Sequence, residues 1–136
     1  MIYSSENYLD IHKLEEARCI LVDWKGFATS EKFRKGLNKG LDALNEFRYK
    51  NWLADTRKMK VISASDQDWA NTDWFPRALK AGMKNMAIIV SEDAFNKMAV
   101  ANIMSKVPSS ALTIQYFDKK EDAIAWLKQS TLVAIR

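Results

Sequence analysis

Apolar residues along this chain follow two spacings, one typical of strands and one typical of helices. The segment 18–24 has apolar side chains at both odd and even positions, which predicts a strand covered on both faces. The more polar segment 8–14 precedes it across a short turn, so the two are predicted to be antiparallel neighbours. Segments 52–55 and 85–90 are short apolar runs typical of buried parallel strands, and the alternation over 112–116 predicts a half-exposed strand near an edge.

Between these strands, apolar residues recur every three or four positions, as they do on one face of a helix. A helix is predicted from Ser30, a good N-cap, to about Tyr49. Its apolar stripe consists of Phe33, Leu37, Leu41 and Leu44. Two later helices are predicted, with inward residues Phe95, Ala99 and Ile103 in one and Ala123, Ile124 and Leu127 in the other. The last of them opens on a capping box formed by Asp118 and Glu121.

A further helical region is predicted after the strand at 52–55. Ser65, followed by acidic residues, is a helix-start signature. Pro76 is expected to divide the region into a piece around Trp69 and a piece over 78–81, because proline interrupts a regular helix. Gly82 fits the left-handed position that closes a helix.

The alternation of strands and helices predicts an α/β fold with parallel strands joined by right-handed crossovers. We expect a single domain over 1–136 with a core from about 8 to 128. Its sheet should be mixed, with about five strands and an N-terminal antiparallel hairpin, accompanied by about four to five helices.

Composition narrows the class of protein. A length of 136 residues is typical of one domain. One cysteine cannot form an internal disulfide, which favours a reducing, cytoplasmic compartment. The N-terminus has no signal-peptide pattern, and the apolar runs are too short to predict a transmembrane segment. The net charge of +4 is interpreted as a contribution to solubility.

The strand that begins at Trp52 stops abruptly on charged residues. Asp55-Thr56-Arg57 follows it directly, and Ser63 and Ser65 come after a short polar step. Ligands and partners of open α/β sheets are met at the carboxyl ends of strands, so this position is where the protein is expected to act. Asp55 and Arg57 either orient a ligand or form an ion pair that stabilises the turn, and the ion pair is the simpler interpretation.

Three large aromatic residues, Trp69, Trp74 and Phe75, lie in the helical region that Pro76 interrupts. One interpretation is that they roof the core over the sheet. The other is that they line an apolar pocket or a homodimer surface, because Trp and Phe are enriched in interface cores. The sequence leaves both open.

The order of elements resembles the STAS superfamily, and most closely its branch described as sporulation stage II protein AA-like, or anti-sigma-factor antagonist-like. The residues that carry the resemblance are Ala54-Asp55-Thr56-Arg57, and Phe117-Asp118 followed by Glu121, Ala123 and Trp126-Leu127. The resemblance implies a STAS-like fold over about 9–127. It implies no particular activity, because members of this branch are largely of unassigned function.

One departure from that family concerns phosphorylation. Sigma-regulating members begin the helix after the central strand with an Asp-Ser pair, then small residues and Gly, and that Ser is phosphorylated. Here Ser63 and Ala64 fall near those positions, and Asp66 replaces the expected Gly. A helix N-terminus favours phosphate on Ser63 or Ser65, but Asp66 and Asp68 would repel it. The simpler interpretation is that Ser65 is only an N-cap.

Catalytic and metal chemistry are not indicated. His12 is the only histidine and Cys19 the only cysteine, and together they cannot complete a tetrahedral zinc site. No spacing pairs a nucleophile with a base, and Gly-rich phosphate loops are absent. The sequence therefore predicts a non-enzymatic protein without cofactor or metal. Acidic residues such as Asp42 and Glu46 interrupt the basic region 32–60, so nucleic acid is not an expected partner.

Two functions from different classes remain open. The leading hypothesis is protein–protein contact, with a regulatory role as one form of it, between this chain and an unidentified protein or a second copy. The predicted surface consists of Asp55, Arg57, Ser63, Ser65, Asp66, Trp69, Trp74 and Phe75. The alternative is a small apolar or anionic ligand bound in a pocket under the aromatic helix 66–82, with Arg57 contacting an anionic head group.

Overall fold

Six strands form one mixed sheet in a computed structural model that describes residues 1–59, 62–90, 101–107 and 111–135. The strands are β1 (Ile2–Ser5), β2 (Leu9–Leu14), β3 (Cys19–Trp24), β4 (Asn51–Asp55), β5 (Asn85–Ile89) and β6 (Thr113–Phe117). Their spatial order is the chain order. The β1–β2 and β2–β3 pairs are antiparallel and the remaining three pairs are parallel. The predicted α/β fold with an N-terminal antiparallel hairpin is confirmed.

Helices cover both faces of this sheet. Those bounded within the described residues are α1 (Ser30–Phe47), α2 (Ala64–Trp69), α3 (Phe75–Lys80) and α4 (Lys120–Ile135). Five π-helical residues, Ala70–Trp74, join α2 to α3. Residues 101–104 are also helical. Of the inward residues predicted for that helix, Ile103 is buried, and Phe95 and Ala99 lie outside the described residues.

The sheet separates two cores. On one face, α1 and the α2–α3 region cover side chains that include Val22, Trp24 and Trp52. On the other, α4 contributes Ala123 and Leu127, which pack with Cys19, Leu21, Leu53, Ala87 and Ile89. The two faces of β3 are therefore both covered, as the sequence predicts. Burial raises the pKa of the Cys19 thiol to about 12, with a smaller contribution from the charge of Glu16.

Glycines bring α1 close to the sheet. A Cβ atom at Gly36 would lie 2.6 Å from Leu9 Cδ2 and 2.8 Å from Trp24 Cη2. A Cβ atom at Gly40 would overlap the indole ring of Trp52. These two positions, one helical turn apart, let the indole rings of β3 and β4 lie directly against the helix backbone.

Three details differ from the sequence predictions. The strand β1 was missed, because Ile2–Ser5 is short and largely polar and gains its pairing only from β2. The predicted start of the helix was wrong by two residues. Ser63, not Ser65, caps α2, and its hydroxyl accepts a hydrogen bond from the Asp66 N–H at 3.1 Å. The two predicted helical pieces are present as α2 and α3, but the break between them is a π turn in which the Phe75 N–H donates to the Ala70 carbonyl, and Pro76 lies after it in the first turn of α3.

Other predicted details agree with the structure. Gly82 has φ +107°, the left-handed conformation predicted for the residue that closes the helix. The predicted helix from Ser30 to about Tyr49 is present and ends at Phe47. The predicted N-cap, Ser30, is wrong by one residue: Thr29 caps the helix, and its hydroxyl accepts a hydrogen bond from the Lys32 N–H at 3.3 Å. These shifts of one or two residues do not alter the packing of the helix.

Candidate interaction site at the carboxyl edge of the sheet

Arg57 is held at the end of β4 by a two-pronged ion pair. Its Nε donates to Asp55 Oδ1 at 3.0 Å and its Nη2 donates to Asp55 Oδ2 at 2.7 Å. The backbone N–H of Arg57 adds a third bond to Oδ1 at 3.2 Å. The carboxylate is buried, whereas the Arg57 side chain is 45% exposed. The pair therefore fixes a guanidinium at the surface in one orientation.

The electrostatics of Asp55 follow from this contact. Burial by itself raises the pKa of Asp55, but the hydrogen bonds and charge of Arg57 outweigh it, so the pKa lies below its ordinary value. The same contact raises the pKa of Arg57. Between them, Thr56 anchors the turn to the neighbouring strand, because its hydroxyl donates to the Ile89 carbonyl at 2.7 Å. The predicted ion pair is thus present, and its position is set by β4 and β5 together.

Asp66 is the centre of a second, internal polar cluster. Its carboxylate accepts a hydrogen bond from the Ser30 hydroxyl at 2.8 Å and from Arg34 Nε at 3.0 Å. Arg34 Nη2 also donates to the Ser65 hydroxyl at 3.3 Å. Burial by itself raises the pKa of Asp66, but the bonds from Ser30, Arg34 and Ser63 lower it below the ordinary value. Asp66 joins α1 to α2 and is buried, so it supports the site from within.

The three aromatic residues have different positions. Trp74 and Phe75 are buried and in edge-to-face contact, with ring centroids 4.9 Å apart. Trp74 also meets the Trp52 ring edge-to-face at 5.0 Å, and its indole N–H donates to the Leu37 carbonyl at 2.9 Å. These two residues roof the core, and the alternative in which they form a homodimer surface does not describe where they lie.

Trp69 remains partly exposed beside two cations. The guanidinium carbon of Arg34 lies 5.3 Å from the Trp69 ring centroid and that of Arg77 lies 6.0 Å away. Arg77 is positioned by Asn38 on α1, to which its Nη2 donates at 2.7 Å. Of the predicted site residues, Arg57, Ser63 and Ser65 are exposed and Trp69 is half-buried, so these four present polar and aromatic atoms outward.

An apolar cavity of about 60 Å³ lies between the helical region 70–75 and the sheet, where a pocket was predicted. Its lining includes the aromatic residues Trp24, Phe33, Trp52, Trp74 and Phe75. Thr56 is the one lining residue with a polar side chain, and its hydroxyl is already bonded to Ile89. Apolar cavities of this kind stay dry, and an apolar cavity of about 150 Å³ can bind benzene or xenon. Arg57 does not line the cavity.

Sequence reasoning missed a row of carboxylates across three strands. Asp10 pairs with Asp23 across β2 and β3, and Asp23 pairs with Asp55 across β3 and β4. Asp10 is bound by Lys25 at 2.9 Å and Asp55 by Arg57. Burial and the charge of Asp55 raise the pKa of Asp23, against a smaller lowering by nearby lysines. Strand register, which sequence spacing does not give, is the only signal that places these residues together.

Metal sites and membrane-spanning helices are both absent from the described ranges. No group of three or more His, Cys, Asp or Glu side chains there is arranged to hold a metal ion. Across the same ranges, no helix combines the length and the apolar character that crossing a bilayer requires.

The sheet order and the helices on both faces define a STAS-like α/β domain. The SpoIIAA-like family model matches residues 19–128, which is most of the sequence, and the chain therefore belongs to the SpoIIAA-like family. The resemblance drawn from the sequence is confirmed. A SpoIIAA-like fold is consistent with a non-enzymatic domain.

Comparison with solved structures supports the fold. The chain is similar to the crystal structure of an uncharacterised protein from Shewanella loihica PV-4 with a SpoIIAA-like fold, with a TM-score of 0.58 and 20% sequence identity. The match covers 91% of this chain and 98% of that one. At this identity the likeness concerns the fold alone. No match was found among curated proteins.

Proposed function

We propose that this protein is a non-enzymatic binding domain that contacts a protein partner through the carboxyl edge of its sheet. The contact surface consists of Arg57, Ser63, Ser65 and Trp69. The buried Asp55 and Asp66 bind the side chains of Arg57 and Arg34. Trp74 and Phe75 are buried in the core below. The observation that carries the proposal is the exposed Arg57 guanidinium, fixed by both oxygens of a buried carboxylate.

A fixed arginine suits partner recognition for an energetic reason. Binding a flexible side chain costs about 0.5–1.5 kcal/mol of ordering free energy. Arg57 is already ordered by Asp55, and so most of that cost is met in the unbound protein. Arginine and tryptophan are also the side chains over-represented among residues that dominate interface energies. The proposed surface contains one residue of each type, Arg57 and Trp69.

Partner capture with matched variants tests the proposal. Immobilised wild-type protein, Arg57→Ala and Lys84→Ala would be cross-linked in lysate of the native source and compared by quantitative mass spectrometry. Lys84 is exposed and directly precedes β5, so it lies at the amino ends of the parallel strands, away from Arg57. Its loss is therefore a control for removing one positive charge. We expect at least one protein to be retained by the wild type and Lys84→Ala and reduced about tenfold with Arg57→Ala, as loss of one hot-spot residue would cause.

A control must show that the Arg57 variants still fold. Arg57→Ala leaves the Asp55 carboxylate without its partner, so melting curves must accompany the capture. Arg57→Lys keeps the charge but cannot reproduce the two-pronged contact, and it should reduce capture in a protein that still folds. If every captured protein is recovered equally with the wild type and both Arg57 variants, the proposal is wrong.

A second candidate function is binding of a small apolar ligand, and the cavity under residues 70–75 is the observation that favours it. Because three indoles line the cavity, a bound molecule should alter tryptophan fluorescence. Xenon is a suitable probe for a cavity of this size: saturation should change the fluorescence of the wild type and not that of Ala70→Leu, in which the added side chain occupies the space. Equal responses of the two proteins would exclude this site.

A further inference from the structure

The last strand, β6, has one unpaired side within the described ranges. It pairs in parallel with β5, and no described strand lies beyond it. The Thr113 N–H donates to the Lys84 carbonyl at 2.9 Å, and the Phe117 carbonyl accepts from the Val90 N–H at 3.0 Å. Residues 113, 115 and 117 thus direct their backbone groups toward β5. The backbone groups of Ile114 and Tyr116 point the other way, out from the edge.

Among the described residues, β6 lacks the charges, prolines and bulges that usually prevent edge strands from pairing between molecules. Proteins protect sheet edges with charged residues, proline or bulges. The segment 111–117 contains no charged residue, no proline and no glycine. By contrast, the opposite edge strand β1 is irregular, because its register shifts between Ile2 and Ser4. Tyr116 on β6 is also 44% exposed, which is high for a large aromatic side chain.

We propose that β6 is a self-association edge, which pairs antiparallel with β6 of a second copy of this chain. One register uses every outward backbone group: Ile114 of each copy lies opposite Tyr116 of the other, and both pairs exchange two hydrogen bonds. The two-fold axis then passes between the two Gln115 residues. The result is a closed two-fold dimer with a continuous sheet across the two molecules.

Side chains and charges in this register are compatible with a second copy. Tyr116 of one copy meets Ile114 of the other, a favourable aromatic–β-branched cross-strand pair. Thr113 meets Phe117, and the flanking Asp118 meets Leu112, so no like charges face each other. We take the occupant to be a second copy, because this register pairs each Tyr116 with an Ile114 and opposes no like charges. This interface is separate from the carboxyl-edge site, and neither proposal depends on the other.

A charge placed at the two-fold axis tests the register. Gln115→Lys sets two ammonium groups directly opposite each other, whereas Thr113→Lys adds the same charge where it faces Phe117. Both positions are exposed, so both variants should fold. By sedimentation equilibrium up to about 1 mM, we expect the wild type to dimerise. Gln115→Lys should raise the dimer dissociation constant about fivefold or more, and Thr113→Lys should change it less than about twofold.

Mixing complementary variants adds a gain of function. Gln115→Lys and Gln115→Glu should each dimerise weakly alone, and an equimolar mixture should recover a heterodimer at least as stable as the wild-type dimer. A wild type that remains monomeric over the whole concentration range would overturn the proposal. So would equal weakening by the two lysine variants, or a mixture that behaves as the sum of its components.

Discussion

At the residue scale, two buried aspartates of similar chemistry have different roles. Asp55 binds a cation two residues away and holds it at the surface. Asp66 binds Arg34, which lies on another helix, and so joins α1 to α2. Both carboxylates have a lowered pKa because hydrogen bonds and cations outweigh burial. The predicted contact surface therefore separates into residues that face outward and residues that hold them.

Replacing Asp66 by asparagine should destabilise the protein by about 1–3 kcal/mol at pH 7, because two hydrogen bonds to a buried charge are weakened. The folded-state pKa of Asp66 lies below the ordinary aspartate value of 3.8. Its ionised form thus stabilises the fold above pH 3.8, and this contribution is lost as the pH falls through the lowered pKa. Urea unfolding from pH 7 to pH 3 would measure the difference.

The control for this variant is Asp68→Asn, on the same helix but exposed, which should leave the free energy of unfolding unchanged. The gap between wild type and Asp66→Asn should narrow below about pH 4. A gap that is constant over the whole pH range would mean that the asparagine acts through shape and not through loss of charge.

Individual residues show where sequence reasoning succeeds. The Asp55–Arg57 pair was predictable because its members are two residues apart at a strand end. The bond between Arg34 and Asp66 was not, because 32 residues separate them and only the packing of α1 on α2 brings them together. The N-cap was ambiguous for a related reason: Ser63 and Ser65 are both good caps, and the difference between them is one of backbone geometry.

At the scale of elements, α1 depends on two positions without side chains. Gly36 and Gly40 lie on the face toward the sheet, against Trp24 and Trp52. Glycine lowers the intrinsic stability of a helix by about 1 kcal/mol relative to alanine. The close approach of the indole rings offsets that loss. The apolar stripe predicts the helix. It does not predict the close approach, because nothing in the sequence pattern shows which side chains lie against Gly36 and Gly40.

Gly40→Ala should destabilise the protein by about 1–3 kcal/mol, although alanine is the better helix former, because its Cβ overlaps the Trp52 ring. Thermal unfolding would measure this. Gly26→Ala is the matched control: no atom lies within 4 Å of the added Cβ, so the change should be neutral or stabilising by up to about 1 kcal/mol. A stabilised Gly40→Ala would mean that the helix moves away from the sheet at little cost.

At the scale of the whole molecule, the sheet separates two apolar cores that differ in size and composition. The α1 side contains the cavity and carries the aromatic roof, and the α4 side is a smaller apolar core. The alternation of strands and helices predicted this architecture, because the spacing of apolar residues in each element is visible in a short stretch of sequence. It did not predict β1, whose polar residues form a strand only by pairing with β2, or the row of carboxylates, which depends on register across three strands.

The buried thiol of Cys19 has a practical consequence. Only the thiolate attacks alkylating reagents, and a thiol with a pKa near 12 that has no exposed surface gives almost none at neutral pH. Labelling therefore requires an opening of the core in which Cys19 packs with β4, β5 and α4. The rate at which Cys19 is alkylated at neutral pH should therefore report how often this core opens.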